Sequence, residues 1–198
     1  MATQIADDKA ETGGTPEKSF TRMQDGKPEH WMKIGAAHQE HYKTAAPQRI
    51  LQHLRDLGEL TLGFGCDQLQ HSLMTATLAR RAGASDEEIV SALCHDIGKT
   101  LSVPNHGAIA AEILKPYVSD DLYHVIKYHQ DFQGAYYYNY MGRSTTLRED
   151  HKNKSWFPLA CKLVDEWDAP AFDPDFAVDS LESFEPEVVR VFSEPKMM

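Results

Sequence analysis

The sequence lacks any apolar run of the ~18–20 residues that a membrane-spanning helix needs. It holds only three cysteines in 198 residues, Cys66, Cys94 and Cys161. They are far apart and make no C-x-x-C pair, so a disulfide framework is not expected and a reducing cytosol fits. Basic residues are in deficit: 20 Lys and Arg against 30 Asp and Glu give a formal charge of −10. Non-specific nucleic-acid binding and attachment to an anionic membrane both need a basic footprint, so neither is expected. The segment Met1 to Lys18 is polar and has no hydrophobic h-region, so no secretory signal is visible. A cytoplasmic protein is the expectation. No period-2 alternation and no internal repeat stand out.

What is present is an ordinary globular composition, 41% hydrophobic and 25% charged. That excludes collagen, coiled-coil and wholly disordered chains. Residues 1–18 read as a disordered leader and 19–46 as an N-terminal arm anchored by Trp31, Met32 and Ile34. From Pro47 onward the apolar period is helical. Ile50, Leu51, Leu54 and Leu57 stripe a first helix that ends at Gly58. A second runs from about Asp67 to Arg81. Ser85 and Glu88 form a capping box for a third, to about Gly98. Asn105 caps a fourth over His106 to Lys115, and Ser119 caps a fifth. A Tyr- and Gly-containing loop, Gln133 to Arg148, follows. Ser155 caps a sixth helix through about Asp168. The acidic tail, 171–198, carries Phe172, Phe176 and Phe184, is expected to pack on the domain, and has a short last helix after Pro186. The fold class is all-α: a single helical bundle over 47–170 with an arm and a tail.

Histidines carry the chemistry. His71 shares a helix stripe with Met74 and Leu78, and His129 lies on the apolar face of its helix. His95 and Asp96 are adjacent near a helix end. With His106 and an Asp near 165–168, four inward histidines from four helices can meet. One such histidine is ordinarily a hydrogen-bonded core residue. Four together with carboxylates are costly to bury without a partner, and a metal is a common one. An adjacent His-Asp pair suits two ions, the His taking one while the carboxylate bridges both.

The stretch "LCHDIGKTL", Leu93 to Leu101, resembles the signature of the HD-domain superfamily. The ordered set His71, His95-Asp96, His106, His129, Asp168 is similar to its binuclear-metal branch. That branch includes HD-type cyclic dinucleotide phosphodiesterases and mixed-valent diiron oxygenases such as myo-inositol oxygenase and the phosphonate-cleaving enzymes. The phosphodiesterases carry an HHExxDGxGYP motif. Here "YHQDFQGAYYY" keeps His129 and Gly134 but has Tyr128, Gln130 and Gln133 in place of His, Glu and Asp, and lacks GYP. Trp167-Asp168 matches the aromatic-Asp that ends the oxygenase ligand set; Asp165, one turn earlier, is the alternative.

The resemblance implies two metal ions, Fe(II)/Fe(III) for an oxygenase, with Mn or another divalent ion for a phosphohydrolase. It implies a small-molecule substrate and O₂ as partners. It also implies a substrate contact at Lys99, three positions after Asp96. The phosphonate oxygenases carry a Tyr and a Glu ten and seven residues before the first ligand; here those positions are Thr61 and Phe64. Tyr136, Tyr137, Tyr138 and Tyr140 can wall a pocket. Arg143 and Arg148 can bind an anion. His30, His38, His41, His53, His124 and His151 read as structural or surface residues, and Cys94 as a small core residue.

Overall fold

A computed structural model describes residues 20–196; the expected leader, 1–18, lies outside the described residues. These divide into two units, one ending at Gln39 and one beginning at Glu40. Helix α1 (Pro28–Thr44) crosses that boundary and buries none of its residues. In the first unit the Phe20 ring packs against Trp31 at 5.0 Å between centroids. Trp31 and Met32 are nonetheless exposed, at 40% and 76%. The expected anchors of the arm therefore do not act as buried anchors.

In the second unit each helix begins where local chemistry satisfies its free N–H groups. α2 (Ala46–Asp56) has Pro47 in its first turn, where a missing donor costs nothing. The Asp67 side chain accepts from the Gln70 N–H and starts α3 (Gln68–Arg81). Ser85 and Glu88 cap each other's backbone N–H groups at the start of α4 (Asp86–Cys94). α5 (His106–Leu114) follows a 3-10 turn at Val103–Asn105. Ser119 caps α6 (Asp120–Tyr137). α7 (Phe157–Cys161) runs straight into a π-helical turn, Lys162–Asp168. Ser180 caps α8 (Leu181–Phe192).

The fold is all-α, with no strand among the described residues. α3 packs on α4, α5 on α6, and α8 lies against α2 and α4, while the π turn packs on α3. Leu54, Leu93, Phe132, Trp167 and Phe184 fill the core. α3 is buried on nearly every side, polar Gln68, His71, Ser72, Thr75 and Thr77 included. A central helix that keeps so many polar groups dry needs partners for them.

Several boundaries differ from the sequence reading. The third helix stops at Cys94, and Ile97–Thr100 is a separate 3-10 turn. Asn105 makes no side-chain cap. α6 continues to Tyr137 instead of yielding to a loop at Gln133. Its Gly134 is where the Tyr138 ring packs: a Cβ there would lie 2.9 Å from Tyr138 Cγ. Tertiary packing thus overrides the poor helix propensity of Gly and Tyr. Ser155 donates to Asp121 at 2.8 Å and caps nothing. α8 starts five residues before Pro186, held by buried Phe184 and Val188.

Candidate metal centre

Five segments deliver six side chains to one buried place. His71 comes from the middle of α3, and His95 and Asp96 from the chain just after α4. His106 is the first residue of α5, His129 lies on α6, and Asp168 ends the π turn. Five of the six are fully buried, and His106 is 3% exposed.

Each imidazole is oriented by its own backbone carbonyl. Nδ1 donates to Ala171 from His71 at 2.8 Å, to Ala92 from His95 at 2.7 Å, to Val103 from His106 at 2.7 Å and to Ile126 from His129 at 2.6 Å. A carbonyl can only accept, so Nδ1 carries the proton and Nε2 of each neutral ring carries a lone pair. Those lone pairs face one another: His71 Nε2 lies 3.1 Å from His95 Nε2, and His106 Nε2 lies 3.2 Å from His129 Nε2. Two lone pairs at that distance repel unless a proton or a cation lies with them.

Asp96 stands between the two histidine pairs. Its Oδ2 lies 3.5 Å from His71 Nε2 and 3.4 Å from His95 Nε2, while Oδ1 lies 2.9 Å from His106 Nε2 and 3.6 Å from His129 Nε2. Asp168 Oδ1 lies 3.2 Å from His71 Nε2 and 3.7 Å from His95 Nε2. Oδ1 of each carboxylate is buried with no aligned hydrogen-bond donor. His71, His95 and Asp168 form one group with the spacing to hold an ion, and His95, Asp96 and His129 form another.

The electrostatics of the ion-free site agree. Burial would lower His95, but the Asp96 and Asp168 carboxylates outweigh it and raise the ring to about 9. Burial opposes ionisation of Asp96, yet the His95 charge and the His106 and His129 rings hold it well below the carboxylate range. Asp168, likewise opposed by burial, is held at about 2 by His95 and His71. His129 is lowered by burial. The His95 imidazolium and the Lys99 ammonium balance the two buried carboxylates in the ion-free state, and a divalent cation would take the place of the His95 proton.

A second set of groups braces the first. Lys99 donates to Asp96 Oδ2 at 2.5 Å and to Gln68 Oε1 at 2.6 Å. Gln133 Nε2 donates to Asp168 Oδ2 at 2.6 Å. Asp165 is engaged elsewhere, accepting from Arg148 Nη2 and the Tyr136 hydroxyl, each at 2.8 Å. Gln68 was not singled out from sequence, and Gln133 entered only as a departure from the phosphodiesterase motif. Their signal was spacing, three residues before His71 and four after His129, which puts each on a ligand's own helix face.

The site opens into a cavity of about 820 Å³. Lys99, His106, Gln133 and Asp168 line its floor, with Tyr136 and Tyr137 in its wall. Arg143 does not line it; its guanidinium lies 3.7 Å over the Tyr138 ring. Phe64 and Phe172, not expected as site residues, also face the cavity.

A family model described as the HD domain matches residues 69–172, just over half of the chain and all six clustered side chains. No curated protein matches the chain.

Proposed function

The chain belongs to the HD domain family, and from that premise we propose that it is a diiron oxygenase, using O₂ to oxidise a substrate with a hydroxylated, phosphonate or amine-type head. Family membership and the buried His/Asp groups fit a metal-dependent enzyme, hydrolase or oxygenase. The observation that carries a binuclear reading is the set of four Nε2 lone pairs converging on the two oxygens of Asp96. His71, His95 and Asp168 would hold one ion, His106 and His129 the other, with Asp96 between them. A bound iron pair would supply open coordination positions and redox capacity beside the cavity.

The chain's own residues do the rest. Backbone carbonyls fix all four imidazoles before any ion arrives, so little reorganisation is required. Lys99 holds Asp96 in place and brings positive charge to the cavity floor. Burial keeps the Tyr137 hydroxyl protonated up to about 12, so it serves as a hydrogen-bond donor and not as a base.

Oxygenase is preferred to phosphohydrolase because the protein itself offers few cationic clamps for a phosphoester beyond what bound ions would supply. Neither candidate arginine supplies one. Arg143 rests on Tyr138, and Arg148 is held by Asp165. Lys99 is the single Lys or Arg among the lining residues. The lost phosphodiesterase motif around His129 supports the same choice.

Iron quantitation and low-temperature EPR of partly oxidised protein test the proposal. Near two irons per chain, a mixed-valent signal, and O₂ uptake with polyols, aminoalkylphosphonates or amines are expected. Phosphate release from phosphoesters that proceeds equally without O₂ would overturn it.

A further inference from the structure

The cavity is too large and too apolar for a small polar head alone. His106 and Asp168 are its buried polar lining, with Lys99 partly buried beside them; Gln130, Gln133, Tyr136 and Tyr137 add further polar atoms, and Leu62, Phe64, Val103, Met141 and Phe172 form an apolar wall. Of the eight large apolar side chains exposed in residues 40–196, five line this cavity: Leu62 46%, Phe64 47%, Val103 44%, Tyr136 53% and Met141 65%. They come from three separate segments, so the rim is a convergence and not one greasy loop. The wall is also continuous. Phe64 stacks on Phe172 at 4.9 Å between centroids, and Phe172 stacks on His71 at 4.3 Å. Leu62 adopts φ 50, a left-handed conformation that a bulky residue seldom takes, and it lies in the cavity lining.

Exposed apolar area of this kind marks a surface that something covers. The cavity volume, about 820 Å³, is in the range of ligand pockets, which favours a free ligand over a flat partner. We infer that the substrate is an amphiphile: a head with an oxyanion or hydroxyl at the floor beside Lys99, and an aliphatic arm along Leu62, Phe64, Val103 and Met141. The head's position rests on the metalloenzyme reading above; the arm's rests on the wall.

The test is calorimetric titration of iron-loaded protein with n-alkylphosphonates from methyl to octyl. Each buried methylene is expected to tighten binding about threefold to fourfold, giving at least about 100-fold from ethyl to octyl. The double variant Leu62→Asp/Met141→Asp is expected to flatten that slope; both side chains are exposed, and an unchanged helical circular-dichroism signal and melting transition confirm that the fold persists. A flat series in the parent protein, or a slope the double variant leaves intact, overturns the inference. So does binding to neutral phosphatidylcholine vesicles with a flat series, which would make the rim a membrane contact. Metal content of each sample separates the two readings: a slope abolished by the variant in protein that takes up no metal would keep the arm and sink the metal centre.

Discussion

His71 and Ala171 are 100 residues apart, and the imidazole Nδ1 of one donates to the carbonyl of the other at 2.8 Å. That bond sets which nitrogen of His71 faces the site. It also ties α3 to the segment that follows the π turn, where Phe172 stacks on the same ring. Orientation of a candidate ligand is thus controlled by chain that carries no ligand itself.

Removing a bridging or shared side chain should strip metal from the centre without unfolding the bundle. Asp96→Ala is expected to lose both equivalents of metal and His95→Ala at least one, and both to keep the helical signal. Metal analysis beside circular dichroism checks this. Normal binding of two equivalents by either variant would show that the ions, if present, lie elsewhere.

The two aspartates of the π turn should behave differently. Asp168 Oδ1 faces His71, whereas Asp165 is bound to Arg148 and Tyr136. Asp168→Asn is expected to lower metal affinity by a factor of 10 or more. Asp165→Asn is expected to keep both ions and lose only about 1 kcal/mol of stability, because its ion pair is partly solvated. Metal content and thermal melting of the two variants distinguish them. Equal metal loss in both would contradict the assignment.

That contrast also shows where the sequence stopped being legible. The caps at Ser85 and Ser119 are local chemistry, and they placed α4 and α6 correctly at their starts, while the start of α3 near Asp67 was read from its apolar period. The inward stripes of His71 and His129 follow from helical period alone. The π turn does not. On an α-helix, Asp165 and Asp168 share a face, so spacing left both open. The Ala169 N–H donates to the Val164 carbonyl, five residues back, at 2.8 Å. The wider turn sends one carboxylate to the histidines and the other to Arg148. The run from Gln133 to Tyr137 was misread for a related reason: Gly134 looks like a breaker until the Tyr138 ring is seen packed on it. Thr61 and Phe64 were read as positions lacking a gate; the fold uses Phe64 as cavity wall.

Gly98 should control the second histidine pair. A Cβ there would lie 2.8 Å from His106 Cα and 3.0 Å from its carbonyl carbon, both backbone atoms that cannot swing away. Gly98→Ala must push the start of α5, and with it His106, away from Asp96. Overpacking of this sort costs about 1–3 kcal/mol. The expected result is a lower melting temperature and metal content falling from two toward one. Unchanged values of both would mean that the approach is less tight than the structure has it.

The pH responses of the ion-free and ion-loaded forms should diverge as pH rises. Folded His95 is raised to about 9 from the ordinary 6.5. A group whose folded value is raised stabilises fully below 6.5, and that contribution is lost as pH climbs through about 9. Asp168, lowered from 3.8 to about 2, contributes above 3.8 and loses its share as pH falls through about 2. His129, lowered from 6.5, contributes above that value and withdraws as pH falls below it. Chelated protein should therefore melt at progressively lower temperature from about pH 7 to pH 10, and His95→Asn should flatten that decline. Metal binding needs His95 deprotonated, so raising the pH removes the proton that competes with the ion. The gap in melting temperature between loaded and chelated protein should widen across the same interval. A gap that narrows would mean that the ion does not displace the His95 proton, and the shared-ligand geometry would have to be abandoned.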